Sequence, residues 1–313
     1  MLLSIVIPIF KVEKYIDACL KSIFQQNVNE DLFSVVLVDD GSPDNSVALC
    51  RPYLELHNNV KLIRQKNCGL SVARNIGLEH SSGDYVWFVD SDDMIEENAI
   101  SSILCNLEKH NADCFFIGHD EVDEEGNIIK QYRYEDNAVI NGLAFLSEKI
   151  KDCEFFIPVQ FTIWRVKFLK ENSFSFFPYI CHEDCEFTPK VISKAALIIS
   201  IPGIHYKYIR HEHTISTTIN SKRAYDYLSV ANSLCLFAQL NSNADILYNY
   251  SSMFVNSAIK IIVKCSFDDI RAFYVFISTK KICMLKNIAT KSRGKYKITA
   301  WGFFILSKIK IWN

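Results

Sequence analysis

The first hundred residues switch repeatedly between two hydrophobic periods. "LSIVIPIF" (3–10) is a continuous apolar run of strand length. In "VEKYIDACLKSIFQQ" (12–26), Ile16, Cys19, Leu20, Ile23 and Phe24 recur at helical spacing. "FSVVLVDDGS" (33–42) predicts a second strand ending in two acids and a Gly-Ser turn, and Asp44 or Ser46 is placed to cap a helix running to about His57. "NVKLIRQ" (59–65) predicts a third strand, "GLSVARNIGLEHS" (69–81) a helix with Gly83 near its stop, and "DYVWFV" (84–89) a fourth strand. Strands that are apolar throughout, separated by helices, imply an α/β domain with a parallel sheet covered on both faces.

Past Asp113 the pattern loosens. "DCFFIGH" (113–119) predicts another strand and "DEEGNIIKQYRYED" (123–136) an exposed hairpin around Gly126. Residues 142–209 mix short helices and strands, and from Ser221 onward nearly every segment has helical spacing. These changes place a boundary near residue 215.

Composition adds limits rather than identity. The 313 residues are 49% hydrophobic and 22% charged, which is ordinary for a globular chain. No apolar run is long enough to span a bilayer. "MLLSIVIPIF" has neither a basic leader nor a small-residue cleavage site, so it reads as a first core strand rather than a signal peptide. The eleven cysteines are scattered and form no CxxC pair. Cys181 and Cys185 bracket "HED", but at an unusual spacing for a metal clip and with no second pair; reduced thiols in a cytosolic protein are the simpler reading. The net charge of −2 hides an asymmetry, because the chain from Ala258 onward carries 12 basic and 2 acidic residues. Within it, "KSRGKYKITAWGFFILSKIKIWN" sets an apolar stretch, Ile298 to Leu306, between lysine pairs. Such a segment suits an anionic membrane surface, or else forms a last helix with solvated lysines. No nucleic-acid motif accompanies the charge.

The chemistry gathers at predicted strand ends, where open parallel sheets bind ligands. The first strand ends at Pro8, Ile9 and Phe10 with Glu13 beyond, and the GxGxxG of a dinucleotide site is absent. The second ends at Asp39 and Asp40, the fourth at Asp90, Ser91, Asp92 and Asp93. Carboxylates this close raise one another's pKa unless a cation sits among them. A solvated turn before a helix N-terminus, with Asp93, Glu96 and Glu97 favourably placed, explains them. So does a divalent metal. Between these ends Asn67, Gly69, Arg74 and Asn75 open a helix where backbone N–H groups and a guanidinium can receive an anion.

Taken in order, "SIVIPIF…YIDACLKSIFQQ", "VVLVDDGSPDNS", "NCGLSVARNIGLEHSSGDYVWFVDSDD" and "HEDCEF" resemble the family 2 nucleotide-sugar glycosyltransferases of GT-A fold. The resemblance covers about the first 110 residues closely, is thinner from "TIWRVKFL" to "HYKYIRHEHTIS", and stops near residue 220. It implies a GT-A mixed sheet with helices on both faces, followed by a helical C-terminal region. The implied catalytic domain spans 1–215, with a nucleotide-binding half at 1–110 and an acceptor half at 111–215. Residues 216–313 form the helical part.

The resemblance also implies roles. Phe10 stacks on the base beside Pro8, with Glu13 nearby, and Asp40 accepts from the base ring N–H, which favours uracil. Asn67, Gly69, Arg74 and Ser91 complete the nucleotide-sugar contacts. Asp90 faces the ribose and metal, and Asp92 ligates Mn²⁺ or Mg²⁺ at the diphosphate. Asp184 is the general base, with Glu183 supporting it; without the upstream blocks, "HED" would read as helix-capping acids. His211 or His213 is a further metal ligand or diphosphate contact. The implied activity is inverting transfer of a hexosyl or N-acetylhexosaminyl group from a UDP-sugar to a hydroxyl of a glycan or lipid-linked acceptor, in cell-surface polysaccharide assembly. The expected setting is the cytoplasm, with the tail as a route to the inner face of the membrane. A non-catalytic nucleotide-sugar-binding protein of the same fold is the alternative, and a nucleotidyltransferase a further one.

Overall fold

The computed structural model describes residues 2–134, 138–152, 158–211, 220–241, 243–280 and 282–297, together with positions 299 and 302. In chain order the elements are β1 (Leu3–Ile9), α1 (Ile16–Phe24), β2 (Phe33–Asp39), α2 (Ser46–Leu56), β3 (Val60–Arg64), α3 (Leu70–Glu79), β4 (Tyr85–Phe88), β5 (Met94–Ile95) and α4 (Ala99–Lys109). Next come β6 (Cys114–Val122), β7 (Ile128–Tyr132), β8 (Val139–Ile140), α5 (Gly142–Lys151), β9 (Thr162–Arg165), α6 (Val166–Glu171), α7 (Glu183–Lys194) and β10 (Ile198–Ile209). Four helices follow: α8 (Ser221–Leu240), α9 (Ile246–Ile262), α10 (Phe267–Lys280) and α11 (Ile282–Lys291).

The chain divides into two compact units. One comprises 1–141, 158–179 and 195–212; the other comprises 142–157, 180–194 and 213–313. Compactness therefore interleaves the chain, and groups α5 and α7 with the C-terminal helices, rather than cutting it once near residue 215.

The first unit holds all the described strands in one mixed sheet of order β3-β2-β1-β4-β9-β6-β10-β5, with β7 on β6 and β8 on β10. β1, β2 and β4 are buried at every position, as strands covered on both faces must be. β1 pairs in parallel with β2 on one side and β4 on the other. Strand order thus reverses at β1, and the carboxyl ends of β1, β2 and β4 open on the same edge. Beyond β4 the sheet becomes mixed: β9 runs antiparallel to both β4 and β6, while β6 and β10 pair in parallel. The predicted hairpin is β6–β7, with Gly126 at φ 88° in its turn.

Helix positions follow the apolar spacing. Ile16, Cys19, Leu20 and Ile23 of α1 all enter the core. For α2 the capping falls to Asp44, whose Oδ1 accepts from the Ser46 N–H at 3.2 Å and the Ser46 hydroxyl at 2.6 Å. α3 runs on to Glu79, and Gly83 serves a different need from ending it. A Cβ there would lie 2.7 Å from the Ser4 nitrogen, so the turn into β4 can approach β1 only with glycine.

The second unit consists of helices among its described residues. α8 buries Leu228, Ala231, Leu234 and Cys235, and α9 buries Leu247, Tyr250, Phe254 and Ala258. No described helix is long and apolar enough to cross a membrane.

Candidate active site

The site is assembled from the edge where β1, β2 and β4 end. Pro8 sits inside β1, opposite Val38, and Phe10 emerges just past the strand with 39% of its surface exposed. The following turn is pinned to the β2 side. Lys11 and Val12 donate backbone N–H bonds to the hydroxyls of Ser42 (2.8 Å) and Ser46 (3.0 Å). Glu13 donates its N–H to Asp44 at 3.1 Å and accepts from the Asn45 N–H at 3.0 Å. Burial pushes the Asp44 carboxyl up, but the bonds from Ser42, Ser46 and Glu13 outweigh it and hold the group at about 2. A cavity of about 410 Å³ opens here, lined by Lys11, Glu13, Lys14, Tyr15, Pro43 and Asp44.

Asp40 was expected to face a base. Its carboxylate is 3% exposed and accepts from the Gln65 side chain (2.5 Å) and the N–H groups of Cys68 (2.7 Å) and Gly69 (2.8 Å). Three of a carboxylate's roughly four acceptor positions are therefore used to draw the 65–69 loop onto the end of β2. That loop delivers Gly69, at φ 89°, as the entry to α3, and leaves Asn67 exposed. Asn75 points elsewhere: its side chain bonds both backbone groups of Phe176, at 2.8 and 2.9 Å.

The acids after β4 meet different partners. Arg74, 2% exposed on α3, donates to Asp90 Oδ1 at 2.5 Å, so a guanidinium is one cation among the carboxylates. Ser91 is buried. Asp92 keeps 44% of its side chain exposed, yet its carboxyl is raised, first by partial desolvation and then by the charge of Asp90. Asp93 is not the solvated helix-start acid that the sequence allows. It is 2% exposed and accepts from the Tyr206 hydroxyl (2.6 Å) and the Ile209 N–H (2.8 Å), both on β10. Tyr206 also accepts from the Asp90 N–H at 3.2 Å, so one phenol ties the acidic loop together. Burial, then Asp92 and Asp90, push the Asp93 carboxyl well above the usual range.

His211, just past β10, completes this group. Its Nε2 lies 3.9 Å from Asp92 Oδ2, its Nδ1 lies 2.8 Å from Glu124 Oε1, and its ring is 4.4 Å from that of Tyr15. Nε2 is buried and has no hydrogen-bond partner among the described residues. His213 falls outside the described residues. Among the described residues no three His, Cys, Asp or Glu side chains form a ready-made metal cage. Asp92 and the bare His211 nitrogen still fit a hard divalent cation that draws its other ligands from a diphosphate and water. Asp90 fits less directly, since Arg74 holds one of its oxygens.

Glu183 and Asp184 belong to the helical unit, in the first turn of α7, and both are buried. Acids there are favoured by the helix dipole. Asp184 Oδ1 accepts from the Cys185 N–H at 2.8 Å. His182, just before them at φ 63°, stacks on Tyr227 and accepts from Arg223 Nε at 3.2 Å. Burial, then the Arg223 charge, lowers its imidazole to about 4.

Sequence reasoning passed over Tyr15, Glu124 and Tyr206. Tyr15 and Tyr206 look like ordinary apolar positions, and Glu124 like a hairpin acid. The pairing of β10 with β6 on one side and β5 on the other brings the last two beside the β4 loop.

The comparisons with known proteins agree with this architecture. The model of the family described as "Glycosyl transferase family 2" matches residues 4–174. The Escherichia coli K12 protein described as "Uncharacterized glycosyltransferase YibD" is 27% identical over 221 residues, covering 68% of this chain and 63% of that protein. The Bacillus subtilis 168 "Minor teichoic acid biosynthesis protein GgaB" is 34% identical over 108 residues, covering 34% of this chain and 12% of that protein. The chain therefore spans less than two thirds of either relative. Among solved structures, S. aureus TarS 1–349 in complex with UDP-GlcNAc superposes with a TM-score of 0.72 at 21% identity, over 98% of this chain and 89% of that one.

Proposed function

The chain belongs to glycosyl transferase family 2 and has the GT-A fold, and from that premise we propose that it transfers a hexosyl or N-acetylhexosaminyl group, with inversion, from a UDP-sugar to a hydroxyl of a glycan or lipid-linked acceptor. The observation that carries the reading is the graded set of acids after β4. One is neutralised by a buried guanidinium, and the next faces an imidazole nitrogen that has no hydrogen-bond partner among the described residues. A nucleoside diphosphate with a divalent cation supplies the charges that this set lacks.

In this reading Phe10, beside Pro8, offers its exposed ring to the base. Asp40 sets the 65–69 loop and offers its remaining acceptor position to a uracil N–H. Glu13, Asn67, Gly69 and Ser91 line the nucleotide-sugar contacts, and Arg74 holds Asp90 towards the ribose and the metal side. Asp92 and His211 would hold Mn²⁺ or Mg²⁺, which supplies charge neutralisation for the departing diphosphate. Asp184, supported by Glu183, takes the proton of the acceptor hydroxyl as that oxygen bonds to the anomeric carbon and the bond to UDP breaks. The transition state is oxocarbenium-like, as in glycoside hydrolysis. The catalytic domain is 1–215 and the helical region 216–313, acting in cell-surface polysaccharide assembly at the cytoplasmic face of a membrane.

The test is UDP release across common UDP-sugars, together with calorimetry of UDP with Mn²⁺ and with EDTA. Metal should tighten UDP binding, and Asp92→Ala should abolish that gain while metal-free affinity is unchanged. Equal affinity with and without metal would sink the ligand assignment. UDP binding without turnover on any donor or acceptor would favour the non-catalytic alternative.

A further inference from the structure

The β6–β7 turn does more than close a hairpin. It is a tight turn: the Gly126 N–H donates to the Asp123 carbonyl at 3.0 Å, and Asn127 donates through both its backbone and its side chain to the Asp123 carboxylate at 2.7 and 2.9 Å. Glu124, at its tip, is 55% exposed and directs its carboxylate at Nδ1 of His211, 2.8 Å away. An ionised carboxylate only accepts hydrogen bonds, so Nδ1 carries the proton. In its neutral form, the only one that can bind a metal, the imidazole has one N–H, and a proton on Nδ1 leaves the lone pair on Nε2. That nitrogen is buried, without a hydrogen-bond partner among the described residues, and 3.9 Å from Asp92 Oδ2.

In that form two electron-pair donors face one another, the imidazole nitrogen buried and the Asp92 carboxylate part-exposed beside it. Such an arrangement is unfavourable unless something positive lies between them. The separation leaves room for a small divalent cation that would take both donors as ligands. The Tyr15 ring, tilted 40° to the imidazole, limits its rotation.

We propose that Glu124 is a positioning residue. It holds His211 in the Nδ1–H tautomer and aims the bare Nε2 at Asp92, so that the pair receives a divalent cation. A carboxylate behind a metal-binding histidine commonly plays this part. The inference rests on reading Asp92 and His211 as metal ligands, and the experiment separates the two.

The full chain, labelled with ¹⁵N-histidine, is examined without metal at about pH 8, above the usual histidine range. Long-range ¹H–¹⁵N correlations report which ring nitrogen is protonated, and His211→Gln identifies the His211 signal. The expected result is Nδ1–H in the parent, a shift towards Nε2–H in Glu124→Ala, and retention in Glu124→Gln, whose amide oxygen still accepts. Calorimetry of Mn²⁺ with UDP should then show Glu124→Ala weakening metal binding by about 10- to 100-fold with metal-free UDP affinity unchanged. A parent His211 found as Nε2–H overturns the proposal whatever the metal does. A tautomer that behaves as stated, with Mn²⁺ affinity unmoved by both Glu124→Ala and His211→Gln, overturns the ligand reading and with it the metal half of the proposal.

Discussion

Three adjacent carboxylates after β4 show how setting decides the role of a residue. Asp90 meets a buried guanidinium, Asp92 an imidazole nitrogen and solvent, and Asp93 a phenol and a backbone N–H. A carboxylate on another element, Asp184, is the one we propose as general base. Asp184→Asn keeps its shape and removes its basicity, so kcat should fall about 10²–10⁴-fold while UDP affinity is retained. Near-normal turnover would place the base elsewhere, and Glu183→Gln should cost less. A histidine gives a stability prediction. His119 lies flat between Phe161 and Tyr132, at centroid distances of 3.5 and 4.4 Å. Burial, then the Lys130 charge, lowers its imidazole from 6.5 to about 3. Above pH 6.5 neither folded nor unfolded chain carries that proton. Between about 6.5 and 3 the unfolded chain binds it and the folded chain does not, so stability falls with pH by about 1.4 kcal/mol per unit for this group. Burial lowers His182 and His205 to about 4, which adds to the same trend. Urea unfolding from pH 7 to 5 should show the loss, and His119→Phe should make it shallower.

At the scale of elements, the fit of α3 on β1 matters most to the site, because α3 carries Arg74. Gly77 makes the contact: a Cβ there would fall 2.1 Å from Cγ1 of Val6, a fully buried β-branched side chain in the middle of β1. In a free helix Gly→Ala would gain about 1 kcal/mol. Here overpacking should reverse the sign, and Gly77→Ala should destabilise by roughly 1–3 kcal/mol. Val6→Ala removes the obstructing methyl, so the double variant should recover part of the loss, a coupling that a double-mutant cycle in urea would measure. If Gly77→Ala stabilises the parent, the close approach is not limiting. Much of this level was legible beforehand. The apolar runs marked β1, β2 and β4, and helical spacing named the buried face of α1. The antiparallel insertion of β9 beside β4 was not legible. "TIWR" is four residues long, and strand direction depends on pairing rather than on local pattern.

For the molecule as a whole, the charge asymmetry gives the prediction. Most of the basic, apolar segment from Ile298 onward lies outside the described residues, but its approach is defined. Ser292 donates to the Tyr248 carbonyl, the Arg293 N–H to the Asn249 side chain, and the Tyr296 hydroxyl to the Ile150 carbonyl, at 2.8 to 3.0 Å. Truncation after Lys297 keeps these described contacts while removing the segment in question. If the tail docks on membranes, the full chain should sediment with liposomes increasingly as anionic lipid rises and less as salt rises, and the truncated chain should not. Both chains remaining in the supernatant at every composition would make the tail a structural element.

Residues close together in the chain gave up their meaning to the sequence alone. The strand–helix alternation, the acid-tipped strands and the ordered motif blocks identified the fold and the family, because each is a short-range pattern that burial and backbone hydrogen bonding translate directly into structure. Partner choice lay beyond that reach. Arg74 finds Asp90 through the close fit of α3 on β1. Asp93 finds Tyr206, and Asp92 and Glu124 find His211, because β10 lies in the sheet between β6 and β5 and so runs past the β4 loop. A carboxylate's charge, exposure and freedom to bind are set by the groups around it in space. For these acids those groups come from segments about 90 to 120 residues further along, or from a helix whose facing side depends on one glycine, so tertiary structure alone decided which was paired, which was buried and which was left for a ligand.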